Sequence, residues 1–148
     1  MRPRTRILIV DDNAQVANLL RELFSELGYP CTVCTDAAQA VAVARQCLPM
    51  LAFIDIGMPQ VDGFQVARNL RASGLPDPLY LVALTAWTDG ITQRHAIQAG
   101  FDLHARKPSN MAALVELAAA IEAGETPSAE LRARLEPPAF VERPAYAG

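Results

Sequence analysis

Five short apolar runs recur along the chain, at residues 7–10, 31–35, 51–54, 79–84 and 101–106, and each is followed by a stretch with helical patterning. Four consecutive apolar residues, as in Ile7-Leu8-Ile9-Val10, suit a strand covered on both faces. Strands alternating with helices through short loops predict a parallel sheet with helices on both sides, a doubly wound α/β fold. Helices are expected at five places. The first carries Val16, Leu19, Leu20, Leu23 and Leu27 at helical spacing and stops at Gly28. The second covers residues 37–47 and closes before Pro49. The third, residues 61–72, is entered through a Met58-Pro59 turn. The fourth covers residues 90–99. The fifth is capped by Ser109 or Asn110, with Met111, Leu114, Val115, Ala118 and Ile121 as its apolar stripe.

Four of the runs end in polar words: Asp11-Asp12, Asp55, Thr85, and Lys107-Pro108. In an open parallel sheet the strand C-termini lie along one edge, so these words should meet in space. The meeting point would hold three carboxylates, a hydroxyl and an ammonium, a set suited to magnesium-assisted phosphoryl transfer onto a carboxylate. Lys107 is the only lysine in a chain whose other basic residues are all arginines. A compact ammonium is wanted there, where a planar guanidinium serves elsewhere. Three carboxylates against one ammonium leave an excess of negative charge. Like charges about 4 Å apart repel by roughly 4 kcal/mol at an effective dielectric near 20, so an incoming phosphoryl group would be rejected without a cation. Magnesium suits the position because it accepts few carboxylates and keeps several waters. Asp11 and Asp12 could instead cap the first helix, but two adjacent acids exceed what a cap needs. Asp62-Gly63 is expected to shape the turn into the third helix, outside the chemistry.

Composition closes off other classes. With 148 residues, of which 51% are hydrophobic, the chain can bury a proper core. A net charge of −3 without a basic patch argues against nucleic acid. The apolar run behind the basic start, residues 7–10, is shorter than the roughly 7–15 residues of a secretory signal. No run reaches the roughly 18 residues of a membrane helix, so a soluble, cytoplasmic protein without membrane contact is expected. Three cysteines argue against a complete disulfide framework. Cys31 and Cys34 form a C-x-x-C, but three residues apart on a strand they point to opposite faces and read as strand thiols.

The domain is expected to occupy residues 1–123. Composition changes at Gly124, and residues 124–148 form a proline-rich extension. Thr126-Pro127 looks like a helix start, with Leu131 and Leu135 on one face, before a flexible tail too short for a DNA-binding output domain.

The order and spacing of five words resemble the receiver domain of bacterial response regulators: Ile-Leu-Ile-Val-Asp-Asp-Asn at 7–13, Phe-Ile-Asp-Ile-Gly-Met-Pro-Gln-Val-Asp-Gly at 53–63, Ala-Leu-Thr-Ala at 83–86, Ala-Gly-Phe-Asp at 99–102, and Lys-Pro at 107–108. The resemblance implies a flavodoxin-like (βα)5 fold with strand order 2-1-3-4-5. It implies that Asp55 accepts a phosphoryl group from a phosphohistidine on a sensor histidine kinase or histidine phosphotransfer protein. Asp12 would bind Mg2+ directly, Asp11 through water, and Gly57 through its backbone carbonyl. Thr85 would hydrogen-bond a phosphoryl oxygen and Lys107 would pair with another. Output would pass to a downstream protein, or to a second copy, through the face of helix four, strand five and helix five. The protein would be a signalling receiver and no enzyme beyond its own phosphoryl transfer and dephosphorylation. Alternatives are a receiver-fold interaction module that works without phosphate, and an aspartyl-phosphate hydrolase. The latter usually needs an acid where Gly57 stands. His104 takes the place of an aromatic that swings inward in the family, and is expected to face solvent. Trp87, the only tryptophan, is expected on the loop beside the site.

Overall fold

The computed structural model describes residues 4–57, 62–76, 78–86, 90–107 and 110–136. Five strands, β1 (Ile7–Val10), β2 (Cys31–Cys34), β3 (Leu51–Asp55), β4 (Tyr80–Thr85) and β5 (Leu103–Arg106), form one sheet. All pairings are parallel and the order is β2-β1-β3-β4-β5, as expected. The helices are α1 (Ala14–Glu26), α2 (Ala40–Cys47, entered through a 3-10 turn at Ala37–Gln39), α3 (Gly63–Ala72), α4 (Gly90–Ala99), α5 (Met111–Glu122) and α6 (Ala129–Leu135).

Alternate strand residues divide the interior into two cores, because side chains on a strand alternate between faces. Leu8, Val10, Ala52, Ile54, Leu81 and Ala83 pack under α2, α3 and α4. Ile7, Ile9, Leu51, Phe53, Val82 and Leu84 pack under α1, α5 and α6. Cys34 belongs to the first core and Cys31 rests against the second, so the C-x-x-C thiols do face apart. Both are free, and burial pushes the Cys31 thiol up to about 12, far from thiolate chemistry.

The buried face of α1 differs from the leucine stripe expected. Ala17, Leu20 and Phe24 are buried, whereas Val16, Leu19 and Leu27 are exposed. Phe24 stacks on Phe53 with ring centroids 5.7 Å apart, and the small Ala17 lets the first turn sit close to the sheet. Shape at the sheet surface therefore outweighed leucine count. The helix stops as expected: Gly28 has φ +88 and donates to the Ser25 carbonyl.

Two caps settle points the sequence left open or misplaced. Asn110 caps α5, its Oδ1 accepting from Ala113 N–H. Ser128, not Thr126, caps α6, its Oγ accepting from Leu131 N–H at 3.1 Å. Helix α3 begins at Gly63, with Asp62 as cap accepting from Phe64 N–H. The Met58-Pro59 turn, Trp87, and the Pro108-Ser109 pair lie outside the described residues.

The word at residues 99–102 has a structural role. Arg71, from the end of α3, donates to the carbonyls of Leu79 and Gly100 and pairs with Asp102 at 2.7 Å. Asp102 in turn accepts from Leu81 N–H at 2.8 Å. This knot ties α3, the α4–β5 turn and the start of β4 together at the edge of the sheet opposite the strand C-termini. Gly100 has φ +104, a conformation that L side chains rarely adopt.

Candidate functional site

The four polar words do meet. Asp11 follows β1, Asp55 ends β3, Thr85 ends β4 and Lys107 follows β5. Carboxylate oxygens of Asp11, Asp12 and Asp55 lie within 4.8 Å of one another, the one such acidic cluster found among the described residues. Lys107 Nζ reaches into it, 3.2 Å from Asp11 Oδ2 and 3.3 Å from Asp55 Oδ2.

The backbone holds each member in place. Asp11 N–H donates to the Cys34 carbonyl, and Asp11 Oδ1 accepts from Asn13 N–H at 2.9 Å. Asn13, in turn, caps α1 by accepting from Gln15 and Val16 N–H, so neither aspartate is used as the helix cap. Asp55 Oδ1 accepts from Gly57 N–H at 2.8 Å, leaving Oδ2 toward Lys107. Lys107 N–H donates to the Thr85 carbonyl at 2.7 Å, which locks the last link of the β4–β5 ladder just before the Lys107 side chain enters the site. Thr85 is buried and Gly57 exposed.

Burial is uneven within the acidic trio. Asp11 is fully buried, Asp55 nearly so, and Asp12 exposed. Burial pushes the Asp11 carboxyl above its usual value. The Asn13 N–H and the Lys107 ammonium oppose that shift, and the Asp55 charge adds to it. A buried carboxylate short of positive charge, beside two others, is a site that gains from a cation. The donors are all oxygen, which selects hard ions such as Mg2+ over zinc or copper.

Two neighbours of the site were read differently from the sequence. Gly63, expected only to shape a turn, packs against the backbone behind Asp55. A Cβ there would lie 2.6 Å from Ile56 Cα and 2.7 Å from the Asp55 carbonyl oxygen. The Asp-Gly pair was visible, but the close approach belongs to the β3–α3 crossing and has no local signal. His104 is buried, with 8% of its surface exposed, and does not face solvent as expected. Its partners on β5, Leu103 and Ala105, point into the α1–α5 core, so His104 points to the opposite side, toward α4. Arg132 of α6 and the following Glu136 line a cavity with it, a neighbourhood that the expected Leu131 and Leu135 face of that helix did not reveal.

Comparison with known proteins agrees with this geometry. The family model of the response regulator receiver domain matches residues 7–119. The chain belongs to that family, the receiver domains of two-component response regulators. An uncharacterized 14.6 kDa protein of Leptolyngbya boryana is 32% identical over 111 residues, which cover 75% of this chain and 85% of that one. The DNA-binding response regulator MtrA of Mycolicibacterium paratuberculosis is 37% identical over 106 residues, 71% of this chain but only 45% of MtrA. Among solved structures, a CheY-like receiver domain protein from Methanospirillum hungatei superposes with a TM-score of 0.74 at 22% identity, over 82% of this chain and 96% of that one. At that identity the match speaks for the fold alone. Among the described residues, no helix is long and apolar enough to cross a membrane.

Proposed function

We propose that this chain is a phosphoacceptor in a two-component phosphorelay, taking a phosphoryl group from a phosphohistidine onto Asp55 and passing the change to a protein partner. The observation that carries this is the ammonium of Lys107 poised between Asp11 and Asp55 at 3.2 and 3.3 Å, inside a trio of carboxylates. Structural ion pairs need one acid per base. A surplus of acids around one lysine fits a place where a cation and a phosphoryl group arrive together.

The Asp55 carboxylate attacks phosphorus in line with the phosphorus–nitrogen bond of the donor. That bond breaks, the electron pair stays on the imidazole nitrogen, and an acyl phosphate remains on Asp55. Gly57 N–H holds Oδ1 and so orients the attacking group. Lys107 can turn from carboxylate to phosphoryl oxygen without leaving its place, neutralising charge as it is transferred. Thr85 stands at the end of the adjacent strand, where its hydroxyl can donate to a second phosphoryl oxygen. Asp11, Asp12, Asp55 and the Gly57 carbonyl are the groups that would hold Mg2+, which when bound offsets the charge between Asp55 and the phosphoryl oxygens.

Metal dependence gives a direct check. Replacing Asp12 with alanine removes an exposed ligand without opening the core, so the protein should stay folded while its Mg2+ affinity falls by a factor on the order of 100, at least the upper end of what lesser changes around a metal cost. Calorimetric titration with MgCl2 reads this, and unaltered affinity would remove Asp12 from the site.

The donor protein has a surface to meet. Val16 and Leu19 on α1 are 37% and 55% exposed, and α1 begins three residues after Asp11. Apolar side chains beside an acidic site offer a dry contact for a partner helix. Leu19→Asp should slow phosphoryl transfer from a phosphohistidine protein about tenfold, the effect of one interface anchor, and leave the rate with acetyl phosphate unchanged. Equal slowing with both donors would show that the residue serves the chemistry or the fold instead.

A further inference from the structure

Helix α6 is built into the molecule rather than appended to it. Leu131 and Leu135 are buried in the same core as Leu103 and Ala105 of β5 and Leu114, Leu117 and Ala118 of α5. This explains why α5 is apolar on more than one side: Met111, Val115 and Ile121 flank the stripe that faces the sheet, and α6 packs against the helix as well. Arg134 pairs with Glu116 of α5, and Arg132 donates to the Asp102 carbonyl at the entrance to β5. Strand β5 is the edge of the sheet, and an edge needs a cover. On the far side of that edge Arg132 and Glu136 share a cavity of about 90 Å³ with Gln93, Ile97, Phe101 and His104. Ile97 is 73% exposed, so the apolar surface continues past the helix.

The same strand ends in the site. Lys107 follows β5 directly, Arg106 pairs with Thr85, and His104 pairs with Ala83 in the ladder. Phosphorylation replaces the single charge of the Asp55 carboxylate with the roughly two of a phosphoryl group, a net gain of about one negative charge within reach of Lys107, so the force it exerts falls on the strand that α6 covers.

We propose that α6 is an intramolecular cover on β5 and α5 that phosphorylation of Asp55 loosens, and that the surface beneath it receives a partner helix of the same kind, short, with two leucines four residues apart and an arginine facing Glu116. This rests on the phosphoacceptor reading above. Only a difference in α6 affinity between the two states of the site can drive the exchange.

The probe is a fluorescein-labelled peptide of residues 125–136, titrated by anisotropy against the full chain. Wild type without phosphodonor should bind it roughly tenfold or more weakly than the Leu131→Glu, Leu135→Glu double variant, whose own α6 cannot dock. Wild type treated with acetyl phosphate and Mg2+ should move toward the variant's affinity, with intact-mass spectrometry on the same sample reporting phosphate. If the double variant does not fold, Arg134→Glu serves in its place, and adding Glu116→Arg to it should return the wild-type affinity. Equal peptide binding by wild type and variants would overturn the cover. Phosphorylated wild type that binds no better than unphosphorylated would overturn its control by the site. Absence of phosphate in the mass spectrum would overturn the functional reading itself, whatever the peptide does.

Discussion

Asp55→Asn should take up no phosphoryl group from acetyl phosphate and Mg2+, while the wild-type chain takes one. The substitution is nearly isosteric. Its side-chain oxygen can still accept from Gly57 N–H, as Oδ1 of Asp55 does at 2.8 Å, so the β3 terminus keeps its conformation. What is lost is the nucleophile, since an amide oxygen or nitrogen attacks phosphorus far less readily than a carboxylate. Asp11 is buried and turned toward Asn13 and Lys107, and Asp12 is exposed beyond the end of β1, so neither stands where Asp55 does at the end of a central strand. Intact-mass spectrometry under phosphodonor is the measurement. Full labelling of the asparagine variant would move the acceptor elsewhere and end the present assignment.

Gly63→Ala should cost about 3 kcal/mol of stability, among the largest effects of any single methyl group in this chain. The added Cβ would meet Ile56 Cα at 2.6 Å and the Asp55 carbonyl oxygen at 2.7 Å, and both are backbone atoms that no rotamer change can move aside. Either α3 lifts from the sheet or the β3 terminus shifts. In both cases Asp55 leaves its place between Gly57 and Lys107, so phosphorylation should slow along with the loss of stability. At this chain length the midpoint should fall by roughly 6–12 °C. Gly74→Ala separates the causes: its φ of +75 is strained for alanine, yet nothing lies within 4 Å of the new Cβ. That variant should lose only about 1 kcal/mol and keep full phosphorylation. A loss in Gly63→Ala no larger than that in Gly74→Ala would show that close packing behind the site is not what Gly63 serves.

Much of this molecule was legible in the order of its residues because the relevant physics is short-ranged. A buried parallel strand must be apolar on both faces, and residues 7–10 and 51–54 announce themselves that way. A helix must cap its first N–H groups, and Asn110, one of two candidates, is written where the cap of α5 falls. Acids placed at strand ends are costly unless used, so Asp11, Asp12 and Asp55 stood out before any coordinate was known. Sheet topology then carried residues that lie far apart in sequence, Asp11 and Lys107, to within 3.2 Å.

Tertiary structure alone decided the rest, wherever a residue's fate depends on what arrives from elsewhere in the chain. Leucine spacing on α1 could not show that Phe24 would find Phe53 and leave Leu19 in solvent. Nothing beside His104 in the sequence marks it as buried; residues of α4 and α6 line the cavity beside it, and α6 lies some thirty residues away, docked through Leu131 and Leu135. Gly63 looks like any turn glycine until the β3–α3 crossing brings it against the Asp55 backbone. Local propensity and pattern thus determined which elements form and which chemistry gathers at the strand ends. The packing of distant surfaces determined which faces are buried, because burial is a property of pairs of elements and no single stretch of sequence holds both members.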